Sequence, residues 1–131
     1  MIYINNKDYK EYKIDISWGK FSAYCNGEYR KGNAPFITFD LDNKKYIGLE
    51  LNLSKNMFEE LQLNKKTKIN KYISDITYED EEGWLSIITG DYNCFISKIN
   101  NNSFKIELSV ISDEIETLTI KINAIIDLYN S

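Results

Sequence analysis

Apolar and polar residues alternate along most of this chain. Phe104, Ile106, Leu108 and Val110 are separated by Lys105, Glu107 and Ser109. Leu118, Ile120, Ile122, Ala124 and Ile126 are spaced the same way, and so are Tyr12, Ile14, Ile16 and Trp18. Shorter runs pair Phe21 with Ala23 and Cys25, and Ile37 with Phe39 and Leu41. A further run places Ile47, Leu49, Leu51 and Leu53 in register. A period of two marks a strand with one buried face. The turn residues fall between these runs. Asn26-Gly27 is a favoured pair for a tight hairpin turn. Lys31-Gly32-Asn33-Ala34-Pro35 is expected to interrupt the chain, with Pro35 placed where the Phe36 strand begins. Asp42-Asn43-Lys44-Lys45, Glu79-Asp80-Glu81-Glu82-Gly83, Gly90-Asp91, Asn100-Asn101-Asn102 and Asp113-Glu114 separate the later runs.

One segment departs from this pattern. Met57, Phe58 and Leu61 lie at helical spacing, with Ser54 or Asn56 as N-cap, so one short helix is expected near 55–61, packed over an open end of the β structure. Ile69–Tyr78 fits either periodicity, and its position before an acidic turn favours a strand. The C-terminal half reads as a meander of strands near 84–89, 92–99, 103–111 and 117–127. The pattern predicts a single all-β domain over residues 1–131. About nine or ten short antiparallel strands form a two-sheet β-sandwich, or a closed or partly open barrel.

Composition narrows the chemistry. The chain has no histidine, which removes His triads, His bases and His metal ligands together. Its net charge of −4 disfavours nucleic acid and anionic membranes as partners. Arg30 is the single arginine, and the abundance of Lys, Ile, Asn and Tyr fits an AT-rich genome. The N-terminal residues lack a secretory pattern and no apolar run is long enough to span a bilayer, so a cytoplasmic location is expected. Two cysteines, Cys25 and Cys94, are too few for a disulfide framework and read as buried thiols.

Standard catalytic constellations are missing. The six glycines are dispersed, so no phosphate-binding loop forms, and GxSxG is absent. Asp40-Leu41-Asp42-Asn43 opens like a calcium loop, but Lys44, Lys45 and Leu51 occupy positions that need ligands or glycine. Lys65, Lys66, Lys68 and Lys71 read as a solvated face, because Tyr72 is the only aromatic near them. No cofactor or metal is expected, and no enzyme activity.

The aromatic residues remain. Tyr24, Tyr29 and Tyr46 occupy slots between the buried positions or near turns, and Tyr29 adjoins Arg30. Tyrosine beside a charge is common at interaction surfaces, since it offers area and a hydrogen bond at low entropic cost. With the acidic run Glu79, Asp80, Glu81 and Glu82 they form the candidate surface. The expected function is non-catalytic binding of another protein, of the immunity-inhibitor or phage-accessory kind. The alternative is a small-ligand or carbohydrate-binding sandwich that uses exposed aromatics. Self-association through an open sheet edge is a further expectation.

Overall fold

The computed structural model describes residues 1–25, 28–42, 44–113 and 117–128; within β3 and β4, the side chains of residues 21–25 and 28–32 lie outside that description. The elements are β1 (Ile2–Ile4), β2 (Lys7–Tyr9), β3 (Tyr12–Cys25), β4 (Glu28–Leu41), β5 (Lys45–Leu51), α1 (Lys55–Glu59), β6 (Lys66–Lys68), β7 (Ile73–Asp80), β8 (Gly83–Ser86), β9 (Asp91–Lys98), β10 (Ser103–Ser112) and β11 (Leu118–Asp127). They form two antiparallel sheets. One has six strands in the order β2-β1-β11-β10-β9-β6, and the other has five in the order β3-β4-β5-β7-β8. The sheets pack face to face as a sandwich and are not closed into a barrel.

The alternating runs explain the packing. Paired residues in an antiparallel ladder share a face. Phe104, Ile106, Leu108 and Val110 lie opposite Ile126, Ala124, Ile122 and Ile120, and all eight are buried. The facing sheet contributes Ile37, Phe39, Ile47, Leu49 and Ile76, each with no exposed surface. Helix α1 closes one end. Ser54 caps it by accepting a hydrogen bond from the Met57 amide at 3.4 Å. It inserts Phe58 edge-on against Phe104 and Trp18, with ring centroids 5.4 and 6.2 Å apart.

Several local expectations are corrected. Residues 31–35 do not break the chain. β4 runs through them, with Pro35 opposite Trp18. β5 pairs with β4 only from Phe36 onward, so Pro35 has an open flank where no donor is required. β3 is likewise continuous through Gly19-Lys20, and the two strands pair alone over 19–25 and 28–34 as a ribbon beyond the body of the sheet. Cys25 pairs with Glu28, and the Asn26-Gly27 turn lies outside the described residues. β9, β10 and β11 form the expected meander, but β8 belongs to the other sheet, as the partner of β7. β1, not anticipated from the sequence, lies beside β11 with Ile2 opposite Ile122. Ile69–Tyr78 divides into a 3-10 turn at Asn70–Tyr72 and the start of β7. The lysine run contributes an edge strand, β6.

Candidate functional site

Because side chains alternate across each strand, the five-stranded sheet has an outer face that can be written from the register. One row across it reads Lys13, Asp40, Tyr46, Glu79, Trp84; the next reads Asp15, Thr38, Gly48, Thr77, Ser86. A third carries Ser17, Phe36, Glu50 and Asp75. Phe36, Tyr46 and Trp84 surround a depression of about 260 Å³ floored by Thr38, Gly48 and Thr77, with Glu79 at its side. Trp84 is 70% exposed and Phe36 38% exposed.

Gly48 makes the depression possible. A Cβ there would stand 2.5 Å from Thr77 Oγ1 and 3.0 Å from the tip of the Phe36 ring. The ring therefore lies beside bare backbone, and a side chain at 48 would displace it. Trp84 is raised by the β7–β8 turn. Asp80 pairs with Gly83, the Asp80 carboxylate accepts the Glu82 amide at 2.9 Å, and Gly83 has φ +133°, which glycine alone adopts readily. On its other side Trp84 borders a second cleft, of about 330 Å³, shared with Asn5, Tyr78, Asp80, Thr117 and Leu118.

The charge on this outer face has one dominant sign. Asp15, Asp40, Glu50, Asp75 and Glu79 stand against Lys13 alone among the described residues. Lys45, next to Tyr46 in sequence, turns inward and donates to the Tyr9 hydroxyl at 3.0 Å, a bond that raises its pKa. Asp75 is held by the Ser86 hydroxyl at 2.6 Å. Burial pushes the Tyr78 hydroxyl upward, and the Cys94 thiol to about 12, so Cys94 is an inert core group.

The residues singled out from sequence do not form one surface. Tyr46 and Glu79 are directly paired. The acidic run is divided: Glu79 faces the outer side, Asp80 borders the second cleft, and Glu81 and Glu82 occupy the exposed turn. Tyr24 pairs with Tyr29 and Ala23 with Arg30 on the ribbon, where side chains lie outside the description. Asp40, the neighbour of Tyr46, lies eleven positions along β4 from Tyr29, or about 36 Å of extended strand. Among the described residues no group of three or more His, Cys, Asp or Glu is placed to hold a metal ion, and no helix is long and apolar enough to cross a membrane. Asn43 of the calcium-like turn, and Glu114 before the last alternating run, lie outside the described residues.

Trp84, Phe36 and Gly48 lie outside the surface that the sequence singles out. The available signal was an apolar side chain in an outward slot. Inward Ile37, Phe39 and Leu41 force Phe36 outward, and Gly48 falls between inward Ile47 and Leu49. Compared with known proteins, the chain matches no family model, no curated protein and no solved structure.

Proposed function

We propose that the protein is a non-catalytic binding domain that engages a basic partner protein through the outer face of its five-stranded sheet. The observation that carries this reading is the exposed Trp84 set with Phe36 and Tyr46 among carboxylates of one sign. Tryptophan and tyrosine dominate binding hot spots, because they exclude water over a large area. The surrounding carboxylates steer a cationic partner and reject an anionic one. A partner Arg or Lys stacked on the Trp84 ring would use both features at once. The non-catalytic part rests on the sequence, which lacks histidine and the motifs named above. An immunity-type inhibitor or a phage accessory protein, acting in the cytoplasm, is the setting that suits a small acidic domain of this kind.

The test is capture from lysate with wild-type and Trp84→Ala baits. The expected result is a basic partner retained by the wild type, released by moderate salt and lost from the variant. A partner retained equally by Trp84→Ala, or no partner, would overturn the reading. The depression floored by Gly48 favours carbohydrate as the second reading, since a sugar ring stacks on aromatic faces beside a carboxylate. That reading expects saccharides to change Trp84 fluorescence. Trp18 would stay silent, because its Nε1 donates to the Leu128 carbonyl at 3.0 Å and its ring packs on Phe58.

A further inference from the structure

We propose that β3 is a dimerisation edge. Two copies pair their β3 strands antiparallel about a two-fold axis at Ile14, joining two five-stranded sheets into one of ten strands.

The first observation is where the backbone groups point. Asn52 N donates to Tyr72 O at 2.7 Å, and Glu50 O accepts the Ser74 hydroxyl at 3.2 Å, so the even-numbered residues of β5 turn toward β7. Ile47 and Leu49 therefore turn toward β4. Their partners Phe39 and Ile37 turn back toward β5, leaving Phe36, Thr38 and Asp40 to bond β3. Those three pair with Ser17, Asp15 and Lys13. The alternate residues of β3, Ile14 and Ile16, thus aim their N–H and C=O groups away from β4, at an edge where no strand lies among the described residues. Pro35 agrees with this phase. It faces away from β3, where its missing N–H costs nothing.

The second observation is length. The other sheet edges are short: β2 and β6 have three residues each and β8 has four. Short edges resist pairing with other chains. β3 has fourteen residues. Its inward residues Ile14 and Ile16 are only half-buried, unlike Ile37 and Phe39 on the strand beside it, because among the described residues no strand flanks them on the edge side.

The third observation selects the occupant. Charges on an edge strand normally block pairing, but Lys13 and Asp15 have opposite signs and are two residues apart. With the axis at Ile14, Lys13 of each copy lies opposite Asp15 of the other, forming two ion pairs on the outer face. Ile14 then meets Ile14, and Tyr12 meets Ile16, on the inner face. Moving the axis to Lys13 opposes two lysines, moving it to Asp15 opposes two aspartates, and moving it to Ile16 forms no ion pair. Opposite charges across a ladder stabilise it and like charges disrupt it. Among the charged residues of β3 itself, the strand is complementary to itself in one register, and an axis at Tyr12, which would oppose Lys13 with Glu11, leaves almost no strand to pair; this points to a second copy of this chain.

Such an axis runs normal to the sheet, so both outer faces lie on one side. Nine strand spacings separate the two β8 edges, about 43 Å, giving a bivalent surface.

Sedimentation equilibrium from about 10 to about 500 μM tests the proposal, since dimer mass must rise with concentration by mass action. Wild type is expected to dimerise. Lys13→Asp and Asp15→Lys, both exposed changes, should each weaken the dimer at least tenfold. The double variant should restore it, and an equimolar mixture of the two single variants should form heterodimers. Ile14→Pro removes an edge-facing N–H while sparing the β3–β4 bonds and should be monomeric; circular dichroism checks that each variant is folded. A monomeric wild type, single variants that dimerise like wild type, or a double variant that stays monomeric would each overturn the proposal. None of these readings depends on the partner proposed above.

Discussion

The two outer faces of the sandwich are built from the same alternation and differ in how their polar and aromatic groups are used. On the six-stranded sheet, Glu107 sits between Lys66 and Lys105, with carboxylate–ammonium distances of 3.0 and 3.4 Å. Lys66 also covers the Phe95 ring, its Nζ 4.5 Å from the centroid. Exposed Ile111 and Ile125 lie six residues of β10 apart, since Ile125 pairs with Lys105, and so make no shared patch. There the Glu107 carboxylate is matched by two ammonium groups and the Phe95 ring is covered. On the outer face of the five-stranded sheet, Lys13 is the one charge opposing the carboxylates among the described residues, and Trp84 projects beside Phe36 and Tyr46. One-sign charge around exposed aromatics is poor solubilising design and good recognition design. The contrast is the reason the outer face of the five-stranded sheet is the proposed binding surface.

The sharpest way to break this comparison is to delete one aromatic from each face. Trp84→Ala should weaken partner binding by about 2 kcal/mol or more, the usual cost of truncating an interface anchor. Phe95→Ala should leave the affinity within about 0.5 kcal/mol, as expected of a residue outside the interface. Titration calorimetry with the captured partner checks both. Equal losses would show that the faces are not functionally distinct.

The depression itself is tested at Gly48. Gly48→Val brings methyl groups against Thr77 and the Phe36 ring. The expected cost is about 1–3 kcal/mol of stability from overpacking, read by urea denaturation, together with loss of binding. Gly19→Val is the control, because nothing lies within 4 Å of a Cβ at that position. Gly48→Val as stable as wild type would mean that Phe36 moves aside freely and the site is not preformed.

The extent to which this was legible in the sequence follows from what alternation encodes. It specifies which side of a strand is buried, so the sandwich core, including Ile37, Phe39, Ile106 and Val110, could be read directly. Helix α1 was legible through its Ser54 cap and Phe58. Register and strand order are long-range properties that a period of two leaves open. Alternation therefore reads β8 as part of the C-terminal meander, although it belongs to the other sheet, and it does not reveal Tyr46, Glu79 and Trp84 as one row. β1 is too short for alternation to register, and Ile2 and Ile4 reveal themselves only opposite Ile122 and Ile120. Pro35 misled because a proline interrupts a strand only if its N–H is needed, and that depends on where β5 ends.

The charge contrast can be sharpened without a partner. Trp84 is the exposed indole, so collisional quenchers report its surroundings. Caesium should quench more steeply than iodide at low ionic strength, because the carboxylates attract the cation and repel the anion. The gap should close as salt rises above about 0.1 M, where the screening length falls below about 10 Å. Equal slopes at low salt would mean that the acidic face produces no field at Trp84.

The smallest effect belongs to the six-stranded face. The Lys66 ammonium bonded to Glu107, helped by Lys105, holds the Glu107 carboxyl below the usual carboxylate range. A carboxylate whose pKa is lowered by folding stabilises the fold above its unfolded pKa and loses that contribution as pH falls through the folded value. Lys66 is well exposed and Glu107 partly so, and solvent screening limits the pair to about 0.5 kcal/mol. Glu107→Gln should therefore be slightly less stable than wild type at pH 7. The difference should shrink as pH falls through the lowered folded value, below which both chains carry a neutral group, and also in high salt. Glu79→Gln on the opposite face removes a carboxylate from a crowd of like charges. It should cost no stability at pH 7, while weakening attraction for a cationic partner. Parallel urea titrations at pH 7 and pH 3.5 separate the two cases. A stability loss in Glu79→Gln matching that of Glu107→Gln would place a compensating cation on the five-stranded face and remove the asymmetry on which the binding proposal depends.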